Sequence, residues 1–130
     1  MVYSIANNRN RWESHELESL ETGRRAIDVA VDKQASDIVL LDVRAVSSLA
    51  DFFVICTAET GRQINAIVDG IEEEFSHSGV GRRRREGDAE SGWVLLDYGD
   101  VIVHVFAPEE RDFYRLERLW RDAPAVVQIQ

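Results

Sequence analysis

The chain has a single cysteine, Cys56, so no disulfide can close within it, which suits a reducing compartment. Cys56 ends the apolar run Phe52-Phe53-Val54-Ile55-Cys56. A reactive thiolate needs an electropositive, accessible setting, so Cys56 reads as a buried and inert thiol. Long hydrophobic runs are missing too: no stretch approaches the roughly 20 apolar residues of a membrane-spanning helix. Residues 1–12 lack the apolar core of a signal peptide, and Arg9 and Arg11 stand outside any amphipathic run of the transit-peptide kind. The chain is expected to be cytoplasmic, with no membrane partner. Positive charge is scarce. There are 15 basic residues against 24 acidic ones, and the formal net charge is −9. Phosphate contacts need a cationic footprint, so this balance disfavours nucleic acid as the main partner. It favours a cationic protein surface.

What is present is a globular composition: 45% hydrophobic and 30% charged over 130 residues, enough for one domain with a real core and too little for two. No internal repeat is visible. Residues 1–13 are polar and aperiodic and read as a flexible N-terminal tail, leaving 14–130 as a single domain. A helix is expected to reach about Ala35, with Ala26, Ile27, Ala30 and Val31 at helical spacing after a Thr22 cap. Residues 37–43 and 52–57 are short, continuous apolar runs that suit buried strands. Thr60-Gly61-Arg62-Gln63 has the form of a capping box. It opens a helix whose stripe is Ile64, Ile67, Val68, Ile71 and Phe75, with Gly79 as its stop. Residues 81–92 read as a polar loop containing Arg82, Arg83, Arg84 and Arg85, a charge run taken as solvated. Two strands follow at 93–98 and 100–106. Pro108 then opens a last helix carrying Phe113, Leu116, Leu119 and Trp120, which runs to about Ala123-Pro124. Residues 126–129 can add an edge strand. This order predicts an α/β (α+β) fold, one mixed sheet of four or five strands flanked by helices.

The hairpin is the most informative segment. A two-residue turn at Tyr98-Gly99 places Asp97 opposite Asp100, Leu96 opposite Val101 and Trp93 opposite His104. Alternation puts Val94, Leu96, Val101, Val103 and Val105 on an aliphatic core face. The other face carries Trp93, Leu95, Asp97, Asp100, Ile102, His104 and Phe106, a mixture found on recognition surfaces. Paired aspartates either bind turn amides or await a cationic partner. No third ligand at suitable spacing makes the aspartates a metal site, and His104, next to Trp93 and with no Ser or Cys nucleophile set beside it, reads as a packing residue. No catalytic residue, metal or cofactor is assigned. In the last helix Phe113, Leu116 and Trp120 read as core, with Tyr114, Arg118 and Arg121 as a rim.

Residues 37–122 resemble the ribosomal silencing factor, or Iojap-related, family. The resemblance rests on Asp37-Ile38-Val39-Leu40-Leu41-Asp42-Val43, on Ala50-Asp51-Phe52-Phe53-Val54-Ile55-Cys56, and on Arg62-Gln63. Its most specific parts are Gly92-Trp93-Val94-Leu95-Leu96-Asp97-Tyr98-Gly99-Asp100-Val101-Ile102-Val103-His104-Val105-Phe106 and Phe113-Tyr114-Arg115-Leu116-Glu117-Arg118-Leu119-Trp120. The resemblance implies a nucleotidyltransferase-like fold without the catalytic site. It implies binding to the large ribosomal subunit through ribosomal protein L fourteen, a steric block to small-subunit joining, and reduced translation in stationary phase or starvation. It also implies a homodimer when free. Hairpin and last helix together assign partner binding to Trp93, Asp97, Tyr98, Asp100, His104, Phe106, Tyr114, Leu116, Glu117, Leu119 and Trp120. The long N-terminal segment and the arginine run depart from the family pattern, and the arginines leave a secondary rRNA contact open. Two other readings compete: an RNA-binding module acting in large-subunit assembly, and a nucleotidyltransferase-like enzyme. The enzyme lacks support in Ser47-Ser48-Leu49-Ala50-Asp51, which has neither the glycine nor the second nearby acid of such a site.

Overall fold

The computed structural model describes residues 2–82, 84–119 and 121–130, with the backbone alone at 2–14, 16, 117 and 119. Among the described residues four helices, α1 (Val2–Asp32), α2 (Gly61–Ser78), α3 (Pro108–Tyr114) and α4 (Leu116–Leu119), accompany six strands. The strands are β1 (Ser36–Asp42), β2 (Phe52–Thr57), β3 (Arg84–Glu86), β4 (Trp93–Asp97), β5 (Val101–Phe106) and β6 (Ala125–Ile129). They form one sheet in the order β3-β4-β5-β2-β1-β6. The central pair β2 and β5 is parallel, and every other pairing is antiparallel. The fold is thus the mixed α/β domain read from the sequence.

One face of the sheet lies under α1 and α2. The α2 stripe, Ile64, Ile67, Val68, Ile71 and Phe75, is buried throughout, as its spacing predicts. It packs with Ala26, Ile27 and Ala30 of α1 over Leu40, Val54, Val94, Leu96, Val103 and Val105. Val31, placed on the same α1 stripe by spacing, is 48% exposed. The ends of α2 also match: Thr60 Oγ1 accepts from Gln63 N–H, and Gly79 ends the helix in the left-handed region.

The fold also departs from the sequence reading at one sheet edge, in the N-terminal segment and in the last helix. The sheet has six strands, not four or five, because Arg84-Arg85-Glu86 pairs with the edge of β4. Three exposed charged residues show no apolar alternation, so the free edge of β4 decides this strand. Residues 2–13, set aside as a tail, continue α1, with no proline or glycine between Val2 and Thr22 to interrupt it. The last helix is not continuous. Arg115 takes a left-handed conformation, φ 46°, and splits it into α3 and α4.

Gln63 does more than a capping residue. Its Oε1 accepts from Glu59 N–H at 2.7 Å, one residue before the cap, where a standard box would use Thr60 itself. Its Nε2 donates to the carbonyls of Lys33 and Gln34 at 3.0 and 2.8 Å. One side chain therefore joins the chain beyond α1 to the start of α2. Gln63→Ala is expected to lower stability by about 1–2 kcal/mol, seen as a lower urea midpoint at unchanged m-value. Gln63→Glu keeps the acceptor but turns a carboxylate oxygen towards those two carbonyls, so its midpoint should fall at least as far as that of Gln63→Ala.

Candidate functional site

The hairpin turn lies one residue later than the sequence reading placed it. Tyr98 N–H donates to Val101 O at 2.9 Å, so Gly99-Asp100 forms the two-residue turn. Gly99 holds the first turn position at φ 89°, where a side chain would be strained. The pairs become Trp93 with Phe106, Leu95 with His104 and Asp97 with Ile102. Each partner moves by two residues, an even step, so every side chain keeps its expected face. The Asp97–Asp100 pair disappears. Asp97 Oδ1 accepts from Gly99 N–H at 2.8 Å and so serves the turn. Tyr98 leaves the turn for the core face, where its ring meets Phe75 edge-on at 4.7 Å and only 8% of it is exposed. Burial, reinforced by the Glu72 charge, pushes its hydroxyl up to about 12. Tyr98 is therefore part of the core beneath α2, and it cannot serve the proposed partner surface from there.

The second face of the hairpin is an aromatic ladder. Trp93 stacks on Phe106 at 4.9 Å and meets Tyr114 of α3 at 4.5 Å. His104 lies between the Phe53 edge, 5.0 Å away, and Trp93, whose indole N–H donates to His104 Nδ1 at 3.2 Å. An indole only donates, so Nδ1 must be unprotonated and the neutral ring carries its proton on Nε2. That Nε2 is buried without a hydrogen-bond partner among the described residues. Burial pushes the His104 pKa down to about 4. His104 thus packs, as the sequence reading held. It and Phe106 are covered, however, at 4% and 0% exposure, and Leu116 is covered too. These three form the floor of the surface.

Trp93 and Asp97 remain half-buried, and Asp100 and Tyr114 reach solvent. Trp120 lies outside the described residues, as do the side chains of Glu117 and Leu119. The structure adds Phe113, 78% exposed and edge-on to Tyr114 at 5.0 Å. Helical spacing had put Phe113 in the core with Leu116. The break at Arg115 separates them, burying Leu116 and leaving Phe113 outside. A hollow of about 220 Å³ lies beside this ledge, lined by Glu86, Gly87, Ser91, Trp93, Leu95 and Tyr114. Gly87, at φ 82°, admits no side chain, since a Cβ would stand 2.0 Å from the Trp93 carbonyl oxygen.

The described arginines of the run stay exposed, as expected, but they are paired. Arg82 and Arg85 both pair with Glu72 of α2, Arg85 at 2.8 Å, and Arg84 lies 3.7 Å from Glu86. Arg83 lies outside the described residues. Cys56 is buried as expected, and burial pushes its thiol up to about 12. One group the sequence reading missed is His15, Asp51 and Asp100, which the fold brings together from α1 and from the residues just before β2 and β5. Residues 36 and 49 positions apart give no local spacing signal.

The buried histidine has a measurable consequence. The folded pKa near 4 lies below the unfolded value near 6.5, so only the unfolded chain takes up this proton between those pH values. Stability from this group is whole above pH 6.5 and falls as pH drops to 4, by roughly 3 kcal/mol in all. His104→Phe should flatten that part of the profile of denaturation midpoint against pH. Parallel profiles for the two proteins would show that His104 titrates freely.

Comparison with known proteins places this geometry. The family model described as "Ribosomal silencing factor during starvation" matches residues 16–130. Ribosomal silencing factor RsfS of Bacillus subtilis is 45% identical over 93 residues, covering 72% of this chain and 79% of that protein. The chloroplastic protein Iojap of Zea mays is 37% identical over 101 residues, which is 75% of this chain and 42% of the plant protein. A crystal structure of a Chromobacterium violaceum protein superposes with a TM-score of 0.75 at 35% identity, covering 78% of this chain and 84% of that one. A second, from Bacillus halodurans, gives 0.70 at 38% identity and covers 85% and 98%. With the family model spanning nearly the whole domain and close relatives matching in both sequence and fold, this chain belongs to the ribosomal silencing factor family.

Proposed function

We propose that this chain silences translation in the cytoplasm by docking on the large ribosomal subunit through ribosomal protein L fourteen. The bound chain would stand in the way of the small subunit and keep the two from joining, in stationary phase or starvation. Family membership supports the silencing role. The observation that carries the docking reading is the aromatic ledge of Trp93, Phe113 and Tyr114, in which Trp93 is half-buried and Phe113 and Tyr114 are exposed among the described residues. Large aromatics at a surface are favoured anchors for a protein partner. The net charge of −9 suits a cationic ribosomal protein. Docking led by rRNA gains no support from the arginine run, because Arg82 and Arg85 are already held by Glu72.

The protein is expected to pellet with large subunits and not with small ones, and to lower the yield of joined ribosomes in a gradient. Phe113→Ala should weaken that association by about tenfold to thirtyfold, or 1.4–2 kcal/mol. Its urea midpoint should match that of wild type, since the side chain is 78% exposed. Equal pelleting with both subunits, or unchanged joining, would remove the reading.

The same ledge supports self-association of the free chain, because an uncovered patch of this kind is uncommon on a monomer. At micromolar concentration, sedimentation should give about twice the chain mass of 14.8 kDa. Phe113→Ala should shift the equilibrium towards the single chain. A monomer throughout would show that the ledge stays open until the ribosome covers it.

A further inference from the structure

We propose that His15, Asp51 and Asp100 bind a divalent transition-metal ion of the zinc class. The three sit at the start of the parallel pair: Asp51 and Asp100 immediately precede β2 and β5, and His15 faces them from α1. His15 Nε2 lies 3.4 Å from Asp51 Oδ2 and 3.5 Å from Asp100 Oδ2. One ligand atom from each residue lies within 4.8 Å of the other two.

These distances suit a shared ion better than a hydrogen bond. A charged N–H···O pair closes to about 2.7–2.9 Å, and a single N–H serves one oxygen well. Here one nitrogen stands almost equally far from two oxygens, at a length too long for either bond. Around a tetrahedral zinc with bonds of about 2.0–2.1 Å, ligand atoms stand about 3.3 Å apart. The two distances from His15 Nε2 are close to that edge.

The site is also built before any ion arrives. The main-chain N–H groups of Asp51 and Phe52 both donate to the Asp100 carbonyl, at 2.7 and 3.0 Å, which fixes the two aspartates relative to each other. Ser19, itself 3% exposed, donates its hydroxyl to Asp51 Oδ2 at 3.1 Å and holds that carboxylate in place. Two carboxylates and a neutral imidazole offset a charge of +2, and the acidic chain favours the approach of a cation. The mixed nitrogen and oxygen donors select zinc-class ions over magnesium and calcium, which take oxygen ligands. His15 and Asp100 side chains are each 54% exposed, so the ion can enter and water can complete the coordination. A bound ion fastens α1 to the ends of β2 and β5, a brace separate from the aromatic ledge.

Calorimetric titration of the full chain with zinc alone should show one ion per chain. His15→Ala and Asp51→Asn should each weaken binding at least tenfold, whereas His77→Ala, on α2 away from the cluster, should leave it unchanged. Cobalt substituted for zinc should give the visible ligand-field bands of a four-coordinate site in wild type and lose them in His15→Ala. Thermal unfolding in chelator, compared across variants, separates lost binding from lost folding. Absence of saturable binding, or equal binding by wild type and His15→Ala, would overturn the proposal. So would binding that survives His15→Ala and fails in Asp51→Asn, since that describes an oxygen-only site.

Discussion

Strands β2 and β5 run parallel at the centre of the sheet, and all six residues of each are buried. The rest of the molecule follows from that pair. Parallel neighbours cannot be joined by a tight turn, so the chain inserts α2, β3 and β4 between them. Strands buried on both sides need cover on both faces. Two long helices cover one face, where Phe52, Phe75 and Tyr98 join a mostly aliphatic core. Among the described residues the other receives the short helices α3 and α4, seven and four residues long. Aromatic rings fill that thinner layer, because a ring covers more area per residue than an aliphatic side chain. Where the cover ends, Trp93, Tyr114 and Phe113 remain partly or largely in solvent. The surface assigned to docking is the unfinished edge of the second core.

Charge is arranged with a similar economy. Arg25 is paired with Glu74, Arg82 and Arg85 with Glu72, and Arg115 with Asp112. The Arg44 guanidinium, bonded to both oxygens of Asp42, holds that carboxyl below its usual range. Exposed pairs of this kind add little to stability. Their effect is on the field: many of the scarce cations are engaged within the chain, so the outer surface stays acidic towards a partner.

The hairpin shows how a reading can be right about faces and wrong about neighbours. Alternation assigned Val94, Leu96, Val103 and Val105 to one side and Trp93, His104 and Phe106 to the other, and the structure agrees. The turn assignment was displaced because two adjacent residues, Tyr98 and Asp100, compete to flank Gly99 in it. Burial of Tyr98 against Phe75 decides between them, and that contact joins residues far apart in sequence. Likewise, nothing local says that His104 and Phe106 are covered. The cover is Leu116 and Tyr114, positioned by a helix break at Arg115 that no glycine or proline announces.

The sequence by itself determined the elements that repeat a period: the α2 stripe with its two caps, the apolar central strands and the two faces of the hairpin. Each rests on alternation or on contacts within a few residues, which a linear string records. Only the tertiary structure decided the sixth strand, the hairpin register, the exposure of Phe113, and the meeting of His15, Asp51 and Asp100. Each of these depends on a partner distant along the chain: a free sheet edge, a ring from another helix, or a carboxylate before another strand. Their spacing in the sequence carries no trace of the contact, because it is the packing of the whole sheet that sets the distance.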